Sequence, residues 1–193
     1  MLILASQSKG RRDVLAGAGV DFKVVPADID EDAVKQKQVT DAADIALELA
    51  VEKAKAVSTA NPAAYVIGAD QILELDGKLF SKPADMTQAR KQLKKMRGKT
   101  HTLINGVAVV LNGEVLWSMK AGVKVTMRDF SDNFLEEYLQ KAGESVLSTV
   151  GAYFIEGDGA QLIEKIDGDY FSVLGLPLLP LLAFLRTRGE IGT

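Results

Sequence analysis

Four residues near the N-terminus could bind a phosphate group. Ser6, Ser8, Arg11 and Arg12 lie close together after an apolar run at residues 2–5 and lead into a predicted helix. A turn between a strand and a helix presents free backbone N–H groups at the positive end of the helix dipole, and hydroxyl and guanidinium groups add donors. The cluster therefore predicts a phosphate cradle. The same residues also fit a serine that caps the helix, with both arginines in solvent.

Lys53 and Asp70 could complete such a site. Lys53 falls on the apolar stripe of a helix predicted over residues 40–60, where its ammonium could point at an anion, although a lysine reaching out to solvent is the alternative. Asp70 directly follows the apolar run 64–69, predicted to be a strand buried on both faces and ending at Asp70, and α/β proteins bind ligands at such strand ends. Asp70 could ligate a hard divalent cation or accept a proton from water, or it could be a turn or capping aspartate.

Three other polar residues are weaker candidates. Glu31 belongs to an acidic segment at residues 28–32 that fits a solvated loop as well as a second metal carboxylate. Lys82 lies in a predicted loop, where exposure is natural. His101 is the only histidine, and no Gly-x-Ser-x-Gly sequence accompanies it, so we expect a structural role and not a catalytic triad.

Composition and absent motifs exclude several classes of function. The net charge of −3 argues against binding nucleic acid or an anionic membrane through bulk positive charge. There is no cysteine for a disulfide or a thiol nucleophile, and no Walker loop, dinucleotide fingerprint, zinc-ligand spacing or EF-hand loop. The apolar run 174–185 contains two prolines and is too short to cross a membrane, and the N-terminus lacks the pattern of a secretion signal. We expect a cytoplasmic protein.

Strands and helices that must position these residues are predicted along the chain, and its length favours one domain over residues 1–193. Turn-forming residues predict hairpins, which typically join antiparallel strands. The predicted hairpins centre on Asp76 and Gly77, on Asn112 and Gly113, and on residues 167–169, between strands at 160–166 and 170–174. The predicted helices run from Asp13 to a stop at Gly17, over 40–60, over 87–97, from a cap at Ser131 through Lys141, and through Arg186.

Five groups of short motifs occur in a fixed order along nearly the whole chain. They are Leu-Ala-Ser-Gln-Ser-Lys-Gly-Arg-Arg at 4–12, Glu-Lys-Ala-Lys at 52–55, Gly-Ala-Asp-Gln at 68–71 with Asp-Gly at 76–77 and Ser-Lys-Pro at 81–83, Gly-Val-Ala at 106–108, and Gly-Asp-Tyr-Phe-Ser-Val-Leu-Gly-Leu-Pro at 168–177. In this order they resemble the Maf proteins, also called septum formation proteins.

The resemblance implies an α/β fold with an elongated central mixed β-sheet flanked by helices, two lobes around a cleft, and frequent formation of a homodimer. It also implies hydrolysis of a nucleoside triphosphate to the monophosphate and pyrophosphate with Mg²⁺ or Mn²⁺. By matching motif position, the phosphate-binding residues would be Ser8, Arg11, Arg12, Lys53 and Lys82. Glu31 and Asp70 would hold the metal or activate water, with Asp70 as the proton acceptor.

The motifs that bear on the choice of nucleotide are divided between two branches of the family. The spacer Lys9-Gly10, Gln71 after Asp70, and Glu156 resemble the branch that hydrolyses 7-methyl-GTP, whereas residues 151–153 and 169–172 resemble the branch that hydrolyses dTTP or UTP. Gln71 and Glu156 are therefore expected at the substrate. A carboxylate at Glu156 could accept hydrogen bonds from guanine N1–H and the N2 amino group, or it could only brace a loop. A nucleotide-binding regulator of cell division without turnover is a further alternative.

Overall fold

The computed structural model describes residues 1–35 and 41–192, and within these ranges the chain forms a mixed sheet flanked by helices. The strands are β1 (Leu2–Leu4), β2 (Phe22–Val24), β3 (Tyr65–Leu75), β4 (Lys78–Phe80), β5 (Thr100–Leu111), β6 (Glu114–Met127) and β7 (Ile163–Asp167). The helices are α1 (Lys9–Gly17), α2 (Glu31–Lys35), α3 (Ala42–Ala60), α4 (Met86–Met96), α5 (Asp132–Ala142), α6 (Tyr170–Val173) and α7 (Leu178–Thr187). Two 3₁₀ helices span Gly143–Ser148 and Asp158–Leu162.

The strand order is β2-β1-β3-β5-β6-β7, and β4 pairs with β3. Strand β1 is parallel to both β2 and β3, whereas the pairs β3–β4 and β6–β7 are antiparallel. A sheet with both kinds of pairing confirms the predicted α/β class with a mixed sheet.

The chain divides into two compact units. The first unit comprises Met1–Gln71, Ile104–Ala121 and Phe171–Thr193, and the second comprises Ile72–Leu103 and Gly122–Tyr170. The single domain expected over residues 1–193 stays a prediction. In the described ranges, no helix combines the length and apolar character needed to span a membrane.

Strand β3 is buried on both faces in the first unit, as its apolar sequence predicts. Ile67 and Ala69 belong to a core cluster that includes residues of α1 and α7, and Val66 belongs to a second cluster with Ala54 and Val57 of α3. Because successive side chains of a strand point to opposite faces, β3 separates these two clusters. The same alternation sends Asp70 and Gln71 to opposite faces of the sheet.

Helix α3 lies directly against the sheet at two glycines. A Cβ atom built on Gly68 would lie 2.0 Å from the carbonyl oxygen of Ala50, and one on Gly106 would lie 2.3 Å from the backbone of Ala46. Only glycine permits so close an approach of a helix backbone to a strand. The close packing brings the α3 residue Lys53 against β3, near Asp70.

Most of the predicted helices and turns are confirmed. The pairs Asp76 and Gly77, and Asn112 and Gly113, all have positive φ, as a two-residue hairpin turn requires. The residues Asp85, Ser131 and Asp41 cap α4, α5 and α3 through their side chains. The predicted start of α3 at residue 40 lies outside the described residues.

Three predicted boundaries are wrong. Helix α1 starts at Lys9, so Arg11 and Arg12 lie in its first turn and not in a preceding loop. Strand β3 does not end at Asp70 but continues to Leu75, because its last residues pair with β4. Residues 160–162 belong to a 3₁₀ helix, which precedes β7.

The strand predicted at residues 170–174 is also wrong, since Tyr170–Val173 form the short helix α6. The aromatic and β-branched residues there favour a strand locally. However, the carbonyl groups of Ser172 and Val173 accept hydrogen bonds from the side chains of Gln71 and Asn105, in place of a neighbouring strand. These long-range contacts override the local preference.

Candidate active site

The two serines of the N-terminal turn shape the start of α1. The backbone N–H of Ser8 donates to Ser6 Oγ at 3.2 Å, and the N–H of Arg11 donates to Ser8 Oγ at 3.4 Å. Ser8 is therefore the helix N-cap, as the structural alternative predicts. The turn still opens on a helix N-terminus, where anions are stabilised.

Arg11 is a buried arginine, with 9% of its surface exposed. Its Nε donates to the carbonyl oxygen of Gly175 at 2.9 Å, and its Nη1 donates to Ser6 Oγ at 3.1 Å. Burial lowers the pKa of Arg11, and the negative charges of Asp70 and Glu31 partly offset this effect. The group nevertheless stays charged, because an arginine does not deprotonate in proteins.

Arg12 differs from its neighbour, because its side chain is exposed on the first turn of α1. The alternative of solvated arginines is thus wrong for Arg11 and confirmed for Arg12. The helix start combines one fixed guanidinium and one exposed guanidinium, a combination that suits a polyphosphate with more than one group to bind.

Lys53 joins two acidic residues from distant parts of the first unit. Its Nζ lies 2.6 Å from Asp70 Oδ1 and 2.7 Å from Glu31 Oε1. The side chains of Lys53 and Asp70 are each only 12% exposed, whereas that of Glu31 is 44% exposed. The predicted inward orientation of Lys53 is confirmed, and the alternative of a surface lysine is wrong.

Asp70 lies beyond the carboxyl end of β1, although not at the end of its own strand. Leu4, the last residue of β1, pairs with Ile67 of β3, and Ala5 adds one more backbone hydrogen bond to Ile67. Strand β3 then continues past the point where β1 turns toward Ser6. The ligand-binding edge expected of an α/β sheet is therefore formed here by the end of β1.

Gln71 is turned toward backbone carbonyl groups of the first unit. Its Nε2 lies 3.0 Å from Ser172 O, 3.3 Å from Val173 O and 3.2 Å from Asn105 Oδ1. The buried Asn105 donates in turn to Ser172 O at 2.9 Å. Asn105 is not among the residues predicted from the sequence, although a polar residue within an apolar strand must find a partner when it is buried.

The remaining predicted site residues belong to the second unit. Lys82 is exposed between β4 and α4, and Glu156 is exposed in a turn. Their roles in binding phosphate and base stay predictions. His101 is buried, and its Nε2 lies 2.9 Å from the hydroxyl of Tyr153, which is consistent with the expected structural role.

Glu31 and Asp70 suit a divalent cation. Both carboxylates converge on one cationic atom, Lys53 Nζ, so a small cation there is within reach of oxygens from both. Among the described residues, no three histidine, cysteine, aspartate or glutamate side chains form a metal cluster. Two protein carboxylates with substrate phosphates and water completing the shell are a common way to bind Mg²⁺.

Comparison with known proteins decides the family. Residues 1–188 match the family model described as Maf-like protein. The chain belongs to the Maf family.

Two relatives of this Maf protein align over nearly their full length. The nucleoside triphosphate pyrophosphatase of Nitrobacter hamburgensis is 49% identical over 189 residues, which cover 97% of this chain and 94% of that protein. The 7-methyl-GTP pyrophosphatase of Brucella suis is 50% identical over 188 residues, which cover 96% of this chain and 94% of that protein. A solved HAM1 protein from Coxiella burnetii aligns with a TM-score of 0.43 and 12% identity, over 67% of this chain and 73% of that one.

Proposed function

We propose that this Maf protein hydrolyses a nucleoside triphosphate between its α and β phosphates, with Asp70 accepting a proton from the attacking water. Family membership and the named activities of two relatives near 50% identity support the enzyme class. The observation that carries the mechanism is the ion-paired group of Lys53, Asp70 and Glu31, whose carboxylates act electrostatically on the buried Arg11.

In this proposal, the cationic residues bind the phosphates of the substrate. Arg11 is held by Ser6 and Gly175, so its guanidinium needs little reorganisation when an anion arrives. Arg12 and the N-terminus of α1 add positive potential on the same turn, and Ser8 can offer its hydroxyl proton. Lys53 adds an ammonium, and Lys82 supplies a further charge in this proposal.

In this proposal, Asp70 accepts the proton of the attacking water. In the ion pair, Asp70 Oδ1 faces a cation, Lys53 Nζ, and Oδ2 is left to accept the proton. The water oxygen forms a bond to the α phosphorus, and the bond from that phosphorus to the bridging oxygen breaks. The bridging oxygen departs with pyrophosphate, and the nucleoside monophosphate keeps the water oxygen.

Glu31 and Asp70 would hold a divalent cation, Mg²⁺ or Mn²⁺. Such an ion supplies charge neutralisation at the phosphate oxygens. The carboxylates contribute a negative site into which the ion fits, while Lys53 limits their mutual repulsion when the ion is absent.

We further propose 7-methyl-GTP as the substrate. The name of the Brucella suis relative supports this choice, as do Gln71 and Glu156, which match that branch of the family. Methylation at N7 makes the guanine ring cationic, and a carboxylate at Glu156 would stabilise that charge while accepting from N1–H and the N2 amino group.

A substrate panel tests this proposal. Pyrophosphate release is measured from 7-methyl-GTP, GTP, UTP and dTTP, each with Mg²⁺ and with Mn²⁺. We expect the highest kcat/KM with 7-methyl-GTP. A preference for UTP or dTTP would overturn the choice of base and keep the enzyme class, whereas binding without turnover of any nucleotide would favour the regulatory alternative.

A further inference from the structure

The turn at residues 172–175 forms one side of the binding site for the Arg11 guanidinium. The carbonyl oxygen of Gly175 accepts from Arg11 Nε at 2.9 Å, and Gly175 has a φ of 89°. A Cβ atom at Gly175 would lie 3.4 Å from Arg11 Nε and 3.7 Å from Nη2. The position of this turn therefore sets the position of the guanidinium.

Two side chains hold the turn against the sheet from the other side. Gln71 donates to the carbonyl groups of Ser172 and Val173, and Asn105 donates to Ser172 while accepting from Gln71. The same Ser172 oxygen accepts from the N–H of Gly175 at 3.2 Å, which closes the turn. Ser172 and Asn105 are 1% and 0% exposed, so water does not replace a hydrogen bond that is lost here.

We propose that Asn105 is a positioning residue for phosphate binding, acting on Arg11 through the 172–175 turn. This inference rests on the proposed function, in which Arg11 binds the triphosphate. Because Asn105 is fully buried, it has no surface with which to touch a substrate. Its effect must pass through the carbonyl groups that it and Gln71 hold, and so to the acceptor of Arg11 Nε.

A buried asparagine could instead contribute only to folding, and Ser58 provides the matched control. Ser58 is also 0% exposed in the first unit, and its hydroxyl accepts from the N–H of Gly113 at 3.1 Å in the β5–β6 turn. Ser58→Ala therefore removes a buried hydrogen bond of the same unit, to Gly113 and not to Arg11 or the 172–175 turn. It reports what a loss of stability alone does to phosphate binding.

The test is a double-mutant cycle of Asn105→Ala and Arg11→Ala. For each variant, the affinity for inorganic triphosphate is measured by titration in the presence of Mg²⁺. The kcat and KM are measured for the nucleotide that the wild type hydrolyses. We expect Asn105→Ala to weaken triphosphate binding and raise KM by roughly tenfold, with kcat within about threefold of the wild type. We expect Asn105→Ala to cause almost no further loss in an Arg11→Ala background, because its effect passes through Arg11. Ser58→Ala should change neither quantity.

Two results would overturn the inference. One is an Asn105→Ala protein whose triphosphate affinity equals that of Ser58→Ala. The other is a fold-loss of triphosphate affinity from Asn105→Ala that is as large in the Arg11→Ala background as in the wild type. If Asn105→Ala does not fold, Asn105→Ser is used, since its hydroxyl is too short to replace the bond to Ser172. A wild type that binds triphosphate but hydrolyses no nucleotide refutes the proposed function, while the binding cycle still decides the role of Asn105.

Discussion

Lys53 on α3 and Asp70 on β3 form an ion pair at 2.6 Å, with both side chains mostly buried. The approach of α3 to the sheet at Gly68, two residues before Asp70, brings the two charges together. A buried carboxylate that loses its partner carries a desolvation cost that another cation can relieve. Lys53 therefore neutralises the site before substrate and metal arrive.

Replacing Lys53 should affect metal binding and turnover in opposite directions. In Lys53→Met, the carboxylates of Asp70 and Glu31 lose a competing cation, so Mn²⁺ affinity without nucleotide should rise by at least about tenfold. The same variant should lose about a hundredfold in kcat/KM, because a phosphate-binding charge is missing. Calorimetric titration with Mn²⁺ and steady-state kinetics measure the two effects. Unchanged or weaker Mn²⁺ binding would refute the assignment of the metal to these carboxylates.

Replacing each of the two arginines of α1 in turn should distinguish an effect on the stability of the fold from an effect on substrate binding. Arg11→Ala removes two buried hydrogen bonds, so the free energy of unfolding should fall by about 1–3 kcal/mol along with substrate affinity. Arg12→Ala removes an exposed side chain and should raise KM while the free energy of unfolding changes by less than about 0.5 kcal/mol. Denaturant unfolding and kinetics of both variants provide the comparison. Equal destabilisation by both would contradict the buried position of Arg11.

The sequence pattern predicts much of this site, but it does not predict the hydrogen bonds between residues that are far apart in the chain. The helical stripe identifies Lys53 as facing inward, and the apolar run before Asp70 identifies a buried strand. The burial of Arg11 depends on a carbonyl group 164 residues away, and the helix at α6 depends on Gln71, 101 residues from Ser172. Local propensity contains no information on such contacts. A buried polar residue such as Asn105 is the one signal within the sequence that could have indicated them.

His101 should make stability depend on pH. Burial lowers its pKa from 6.5 to about 4, so the unfolded chain binds a proton more readily than the folded protein. Stability is therefore greatest above pH 6.5 and falls progressively as the pH drops toward 4, with a total loss approaching about 3 kcal/mol. Urea unfolding at several pH values measures this loss. The loss should shrink in His101→Gln, which does not titrate in this range, and an identical pH profile in that variant would contradict the assignment.

Glu156 should determine the preference for guanine. In Glu156→Gln, an amide replaces the carboxylate that would accept from N1–H and the N2 amino group, so the ratio of kcat/KM for 7-methyl-GTP to that for UTP should fall by roughly tenfold or more. Stability should change little because the side chain is exposed. Glu164→Gln, on β7 of the same unit, is the control for removing a carboxylate charge. An unchanged substrate ratio would leave Glu156 without a role in base recognition.

Asp70→Asn tests the central claim most directly. The substitution keeps the size and most of the packing of the side chain and removes the proton acceptor. Pyrophosphate release from the best nucleotide should fall by about a thousandfold or more, with folding and triphosphate binding retained. Asp44→Asn, which removes another carboxylate paired with a lysine in the first unit, should keep wild-type turnover. Turnover near the wild-type rate in Asp70→Asn would contradict the mechanism.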